Sequence, residues 1–275
     1  MVSSAEVDFV EFKATGIIRA KAGSNDRKLY VHQAEAMHCL DLMNKQASSF
    51  STLIVLPTGA GKTYTAVNWL LKNAVDQKKK ILWIAHRQLL LEQAVSAFQM
   101  SPYKELILHH PSFSYRLISG STQHDRIVNI KASDDVLLIS KDSLGRNLKC
   151  LDKWLQGEDE LYFVIDEAHH ATARTYQRII TYVQHKVKHV KLIGLTATPY
   201  RTAAAEKGLL AKIFTDGLKN EKLVHQDIGI AYQIGLKELI KKQILARPKF
   251  EACATDEKYG EDLGITALRS IRNLD

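Results

Sequence analysis

The sequence predicts an α/β domain with a mainly parallel central sheet and helices on both faces. Three observations lead there. Short apolar runs rich in β-formers recur along the chain, segments with apolar residues at three- and four-residue spacing lie between them, and one run leads straight into a glycine-bearing loop and a helix. The expected strands are Thr52–Leu56, Lys80–Ala85, Leu117–Ser119, Val136–Ser140, Leu161–Asp166 and Lys191–Leu195. The spacing predicts crossover helices over Lys62–Val75, Gln88–Gln99 and Thr175–His185. An open sheet of this kind takes its ligands beyond the carboxyl ends of its strands.

Composition sets the frame. With 275 residues, 45% apolar and 25% charged, the chain can bury a sizeable core. Its 38 Lys and Arg against 30 Asp and Glu give a net charge of +8, compatible with a polyanionic partner whose counterions basic surface displaces. Cys39, Cys150 and Cys253 are odd in number, far apart and without a CxxC pair, which argues against a disulfide frame or a zinc site. The first residues lack a basic start followed by an apolar run, and no apolar stretch approaches the ~20 residues of a membrane helix. A soluble cytoplasmic protein with no membrane partner is expected. Residues 1–25 carry little pattern and are expected as an N-terminal appendage, 26–253 as the domain, and the polar 254–275 as a C-terminal linker. Lys78–Lys80 is expected as a solvated lead-in to a strand.

Leu53–Thr63 reads LIVLPTGAGKT, an apolar strand, a glycine loop and a helix start. Glycines let backbone N–H groups converge on phosphate oxygens, and the following helix N-terminus adds a favourable dipole. Thr58, Gly59, Ala60, Gly61, Lys62 and Thr63 are therefore candidate nucleotide ligands. Lys62 is expected to pair with the β- and γ-phosphates of ATP, and Thr63 to offer its hydroxyl to Mg2+. Such a loop needs a second strand ending in acid, and Leu161–His170, LYFVIDEAHH, supplies it. Asp166 is placed to hold the metal through its water shell and Glu167 to orient or deprotonate the attacking water. Two carboxylates at the tip of a buried strand are unfavourable unless a cation or partner satisfies them.

With both motifs in place, the chain resembles the superfamily-two helicases and translocases of the DEAH branch, which includes restriction-enzyme motor subunits and excision-repair helicases. The likeness runs over roughly Lys28–Cys253 and implies the first RecA-like P-loop domain of a motor. Leu56 stands where the strict Walker A pattern has its first glycine, and PTGAGKT is the form these motors commonly use. The resemblance implies an adenine-reading role for Gln33, although Tyr30, Val31 and His32 replace the family's usual Arg-Pro-Tyr. His169 becomes the fourth DEAH residue. Ala85–Gln93 resembles motif Ia and Ser140–Leu144 the next nucleic-acid motif, so Arg87, Ser140, Lys141 and Ser143 are implied contacts to backbone phosphates through side-chain or main-chain donors. Leu195–Arg201 resembles motif III, in which Thr196 and Thr198 couple hydrolysis to movement. Tyr232–Ile240 with Leu245–Pro248 resembles a closing helix and strand of restriction- and repair-type motors.

The implied activity is slow ATP hydrolysis by this domain, coupled in the full protein to movement on DNA in preference to RNA. A second RecA-like domain, in the parent chain or a partner, would complete the cleft. A nucleotide-dependent switch or scaffold is the alternative class, and an RNA helicase the alternative within the class. Other candidates carry less. His109, His110, His170, His185 and His189 lack an HExxH or cysteine partner and are expected at the surface or between domains. Glu11-Phe12-Lys13 is too common a tripeptide to assign a nuclease. Trp69, Trp83 and Trp154 are expected as packing residues.

Overall fold

A computed structural model describes residues 13–198, 204–218 and 229–247. Eight strands form one sheet: β1 (Thr15–Arg19), β2 (Phe50–Val55), β3 (Lys80–Ala85), β4 (Ser112–Ile118), β5 (Val136–Ser140), β6 (Glu160–Asp166), β7 (His189–Thr196) and β8 (Ile230–Gln233). Their spatial order is β1-β4-β5-β3-β6-β7-β2-β8. Every neighbouring pair is parallel except β1 with β4. The helices are α1 (Val31–Gln46), α2 (Lys62–Asn73), α3 (Gln88–Met100), α4 (Lys141–Arg146), α5 (Asp152–Leu155), α6 (Arg174–Lys186), α7 (Ala204–Ile213) and α8 (Leu236–Lys241). No described helix is long and apolar enough to cross a membrane.

The core lies on both faces of the sheet, because the central strands are largely apolar and buried at nearly every position, and alternate residues point opposite ways. Trp83 of β3 faces a cluster with Trp69 and Leu70 of α2 and Leu91 and Phe98 of α3. Its neighbours Leu82 and Ile84 face the other cluster, with Trp154 of α5 and Tyr176, Ile179 and Val183 of α6. All three tryptophans are buried, as their expected packing role requires.

Four features depart from the sequence reading. Thr15–Arg19, expected in the appendage, is the outer strand of the sheet, paired antiparallel with β4. β4 begins at Ser112 rather than Leu117 because its first half alternates, with Phe113 and Tyr115 buried while the Ser114 amide donates to Asp135. Only its far end, Leu117 and Ile118, is a continuous apolar run. Lys80 is buried instead of solvated, and its ammonium donates to the carbonyls of Ala132 (2.8 Å) and Trp154 and pairs with Glu158 at 3.0 Å. The closing segment runs strand then helix, with β8 laid parallel to β2 and α8 after it, the reverse of the expected order. Residues 1–12, Pro199–Arg201, Pro248 and 254–275 lie outside the described residues.

Candidate nucleotide site

The expected site residues gather at the carboxyl ends of β2, β7, β6, β3 and β5, because parallel strands place their following loops along one rim. On the β2 side, Gly59 and Gly61 hold the loop with φ of 83° and 81°, values an L side chain rarely adopts. Gly61 is the N-cap of α2, so the loop passes directly into a helix whose first turn contains Lys62 and Thr63. The Ala60 carbonyl is drawn away from the cradle. It accepts a hydrogen bond from Gln33 Nε2 at 3.1 Å and lies 2.9 Å from His32 Nε2. Gln33 Oε1 accepts from the Tyr30 amide at 3.0 Å. Both residues are buried in the first turn of α1 and brace the loop from behind. No local signal pairs His32 with the Ala60 carbonyl, since the two lie 28 residues apart.

On the β6 side, Asp166 is 1% exposed and its Oδ1 accepts the Glu167 amide at 3.0 Å. Its Oδ2 is buried without a hydrogen-bond partner. Burial, reinforced by the neighbouring Glu167 charge, pushes the Asp166 carboxyl up to about 7. Glu167 has φ 51° and ψ 56°, a left-handed conformation that costs a non-glycine residue about 1–3 kcal/mol and persists only where the surroundings hold it. Its carboxylate lies 3.8 Å from Lys62 Nζ and 3.3 Å from His169 Nδ1. His169 Nδ1 is also 3.1 Å from Thr196 Oγ1 at the end of β7, and Thr196 Oγ1 accepts the Thr198 amide at 3.2 Å. Lys62, Glu167, His169 and Thr196 thus form one chain of polar contacts across three loops. Gly194 permits it: a Cβ there would sit 2.7 Å from the Ala168 Cβ and 2.5 Å from Leu53 Cδ2, so only glycine lets the 168–170 turn press onto β7.

Beyond β3 and β5 the picture is less concentrated. Arg87 is exposed at the N-cap of α3. Lys141 lies 3.4 Å from Asp142 and Ser143 is partly exposed in the first turn of α4. Ser140 differs from expectation, because its side chain is buried and caps α4: Oγ accepts the Ser143 amide at 3.2 Å and donates to Ser143 Oγ at 2.9 Å. A hydroxyl committed to a cap is not available to a phosphate.

Residues 26–201 match the family model described as "Type III restriction enzyme, res subunit". The chain belongs to this family. It is thereby a superfamily-two helicase motor domain with the RecA-like fold. Its relatives include fml2 of Schizosaccharomyces pombe, described as an ATP-dependent DNA helicase, 27% identical over 164 residues that make up 58% of this chain and 20% of that protein. Another is the DEAD-box ATP-dependent DNA helicase Fancm of Drosophila melanogaster, 25% identical over 213 residues, covering 70% of this chain and 13% of the other. The chain therefore spans a fifth or less of the curated relatives it matches. Among solved structures, a nuclease-deletion mutant of the Type ISP restriction-modification enzyme LlaGI superposes with a TM-score of 0.50 at 15% identity, over 79% of this chain and 21% of that one. At that identity the likeness speaks for the fold.

Proposed function

We propose that this res-family domain binds ATP with Mg2+ on its phosphate loop and hydrolyses it, and that the whole protein couples hydrolysis to movement along DNA. The supporting observation is Asp166 Oδ2, a buried carboxylate oxygen without a partner, beside Glu167 and on the rim that carries the glycine loop. Such an atom costs about 1–3 kcal/mol or more if left unsatisfied, and a cation removes the cost. The donor set suits magnesium: Thr63 would offer a hydroxyl and Asp166 a hard anionic oxygen. Bound there, the metal would neutralise part of the phosphate charge.

The chain's own groups divide the remaining work. The amides of Thr58–Thr63 cradle phosphate oxygens, and Lys62 adds a charge to the β- and γ-phosphates. Glu167 orients the attacking water, held on one side by Lys62 and on the other by His169. The adenine-reading role expected of Gln33 would use its second N–H and second lone pair, the first of each being engaged by the Ala60 carbonyl and the Tyr30 amide. Thr196 and Thr198 sit where His169 passes the state of the site to β7. Arg87, Lys141 and Ser143 on the same rim would follow a DNA backbone. If two phosphates are neutralised, log K falls with log salt at a slope of about −1.4 to −1.8. A second RecA-like domain, from the parent chain or a partner, completes the cleft, and an arginine finger from it raises turnover by about 10³–10⁵. The half-buried free thiols Cys39 and Cys150 suit a reducing cytoplasm.

Titration with ATP and Mg2+ tests the reading. Lys62→Ala should weaken binding by about 1.5–3 kcal/mol, the worth of a charge-assisted contact. Superimposable curves for wild type and variant would overturn the assignment.

A further inference from the structure

β3 and β6 are adjacent and parallel, in a register that pairs Ile84 with Ile165, so the residues following them emerge side by side. His86 follows β3 and immediately precedes Arg87, the N-cap of α3. His170 closes the turn Ala168–His170 that Glu167 opens. The His170 ring stands 4.4 Å from the His86 ring, with 60° between their planes, and 4.2 Å from the His169 ring at 45°. His170, expected at the surface or between domains, is partly buried and stands between the ring that touches Glu167 and the ring that borders Arg87. All three are partly buried, and of the strands behind them β3 is buried throughout and β6 from Leu161 onward.

From this contact we infer that His170 is a positioning residue that couples the nucleotide site to the Arg87 segment, an inference resting on the ATP-binding function proposed above. A change in the contacts of Glu167 or His169 must rotate or shift the short 168–170 turn, because the αL conformation of Glu167 leaves it little other freedom. The turn cannot sink, since Ala168 is already against Gly194. Its motion therefore falls on His170 and, through the 4.4 Å ring contact, on His86 and the amide groups that open α3. The contact is short-ranged packing between flat rings, so an aromatic ring of similar size preserves it and a methyl group does not. The coupling is reciprocal: displacement of the Arg87 segment acts back on Glu167 by the same free energy.

Hydrogen–deuterium exchange on the 275-residue chain, with and without ADP–Mg2+ or a non-hydrolysable ATP analogue with Mg2+, tests this without DNA. In the wild type, nucleotide should change the exchange of amides 86–92 several-fold. His170→Ala should remove most of that change while nucleotide Kd stays within about twofold, and His170→Phe should restore it. His86→Ala, which deletes the other half of the contact, should behave like His170→Ala and gives the same reading if His170→Ala fails to fold. Nucleotide binding with an unaltered response in His170→Ala or His86→Ala, or a wild type that binds nucleotide with no response at 86–92, overturns the coupling and leaves the ATP site standing. A wild type that binds no nucleotide overturns both.

Discussion

Two buried carboxylates lie on opposite parts of the same sheet, and their surroundings differ in kind. Asp134, just before β5, is 4% exposed and fully engaged. It accepts Arg116 Nε at 2.7 Å and Nη2 at 3.1 Å, and the Lys131 amide at 2.8 Å. The same guanidinium also meets Asp125, which takes the Asn129 amide group at 2.6 Å and the Arg126 backbone amide at 2.7 Å. Asp166, at the tip of β6, is still more buried, yet one of its oxygens has no partner and its neighbour Glu167 is a like charge in a strained conformation. The contrast separates a charge the fold uses to hold itself together from one whose hydrogen bonding the fold leaves incomplete. Burial alone does not distinguish them; completeness of the hydrogen bonding does.

Substitutions at each end sharpen that comparison. The largest effect should follow Glu167→Gln, which keeps shape but removes the base: hydrolysis should fall by about 10²–10⁴ in steady-state assays while the melting temperature hardly moves. A variant retaining full turnover would remove Glu167 from the chemistry. At the other end, Arg116→Ala strands two carboxylates and should destabilise the fold by about 3–5 kcal/mol in urea titration. Asp166→Asn offers the sharpest reversal. In metal-free buffer at pH 8 it should stabilise the domain by about 1–3 kcal/mol, because a buried unpaired charge disappears, while Mg2+-dependent nucleotide binding weakens. A lower melting temperature would mean that Asp166 is structural after all.

The smallest effect concerns acid. Burial alone would raise the Asp125 carboxyl, but hydrogen bonds from Asn129, the Arg126 amide and Arg116 outweigh it and hold it below its ordinary value of 3.8. A depressed folded value contributes stability that is fully present above about pH 4 and is lost as pH falls below it. Acid denaturation of Asp125→Asn should therefore be shallower below pH 4, by at most about 1.4 kcal/mol for each unit of depression. Identical acid limbs would show that the carboxylate contributes nothing through ionisation.

By itself the sequence determined the architecture and named most of the residues that meet along the rim. Lys80–Ala85 and Val136–Ser140 are strands with the expected ends, since continuous apolar runs between breakers have one stable home in a doubly covered sheet. Lys62, Asp166 and Glu167 could be named because each chemistry is written in a few adjacent residues. The tertiary structure alone decided what depends on residues distant in the chain. His32 and Gln33 brace Ala60 across nearly 30 positions, Lys80 closes the far end of the sheet against Trp154, and His170 lies against His86, 84 positions away in sequence. More locally, the Ser140 hydroxyl is engaged as the cap of α4, which leaves its main chain as the donor an expected phosphate contact would use. The physical reason is common to the three long-range contacts. A side chain's chemistry is local, but its partner is set by the strand order and register that bring two loops to one edge.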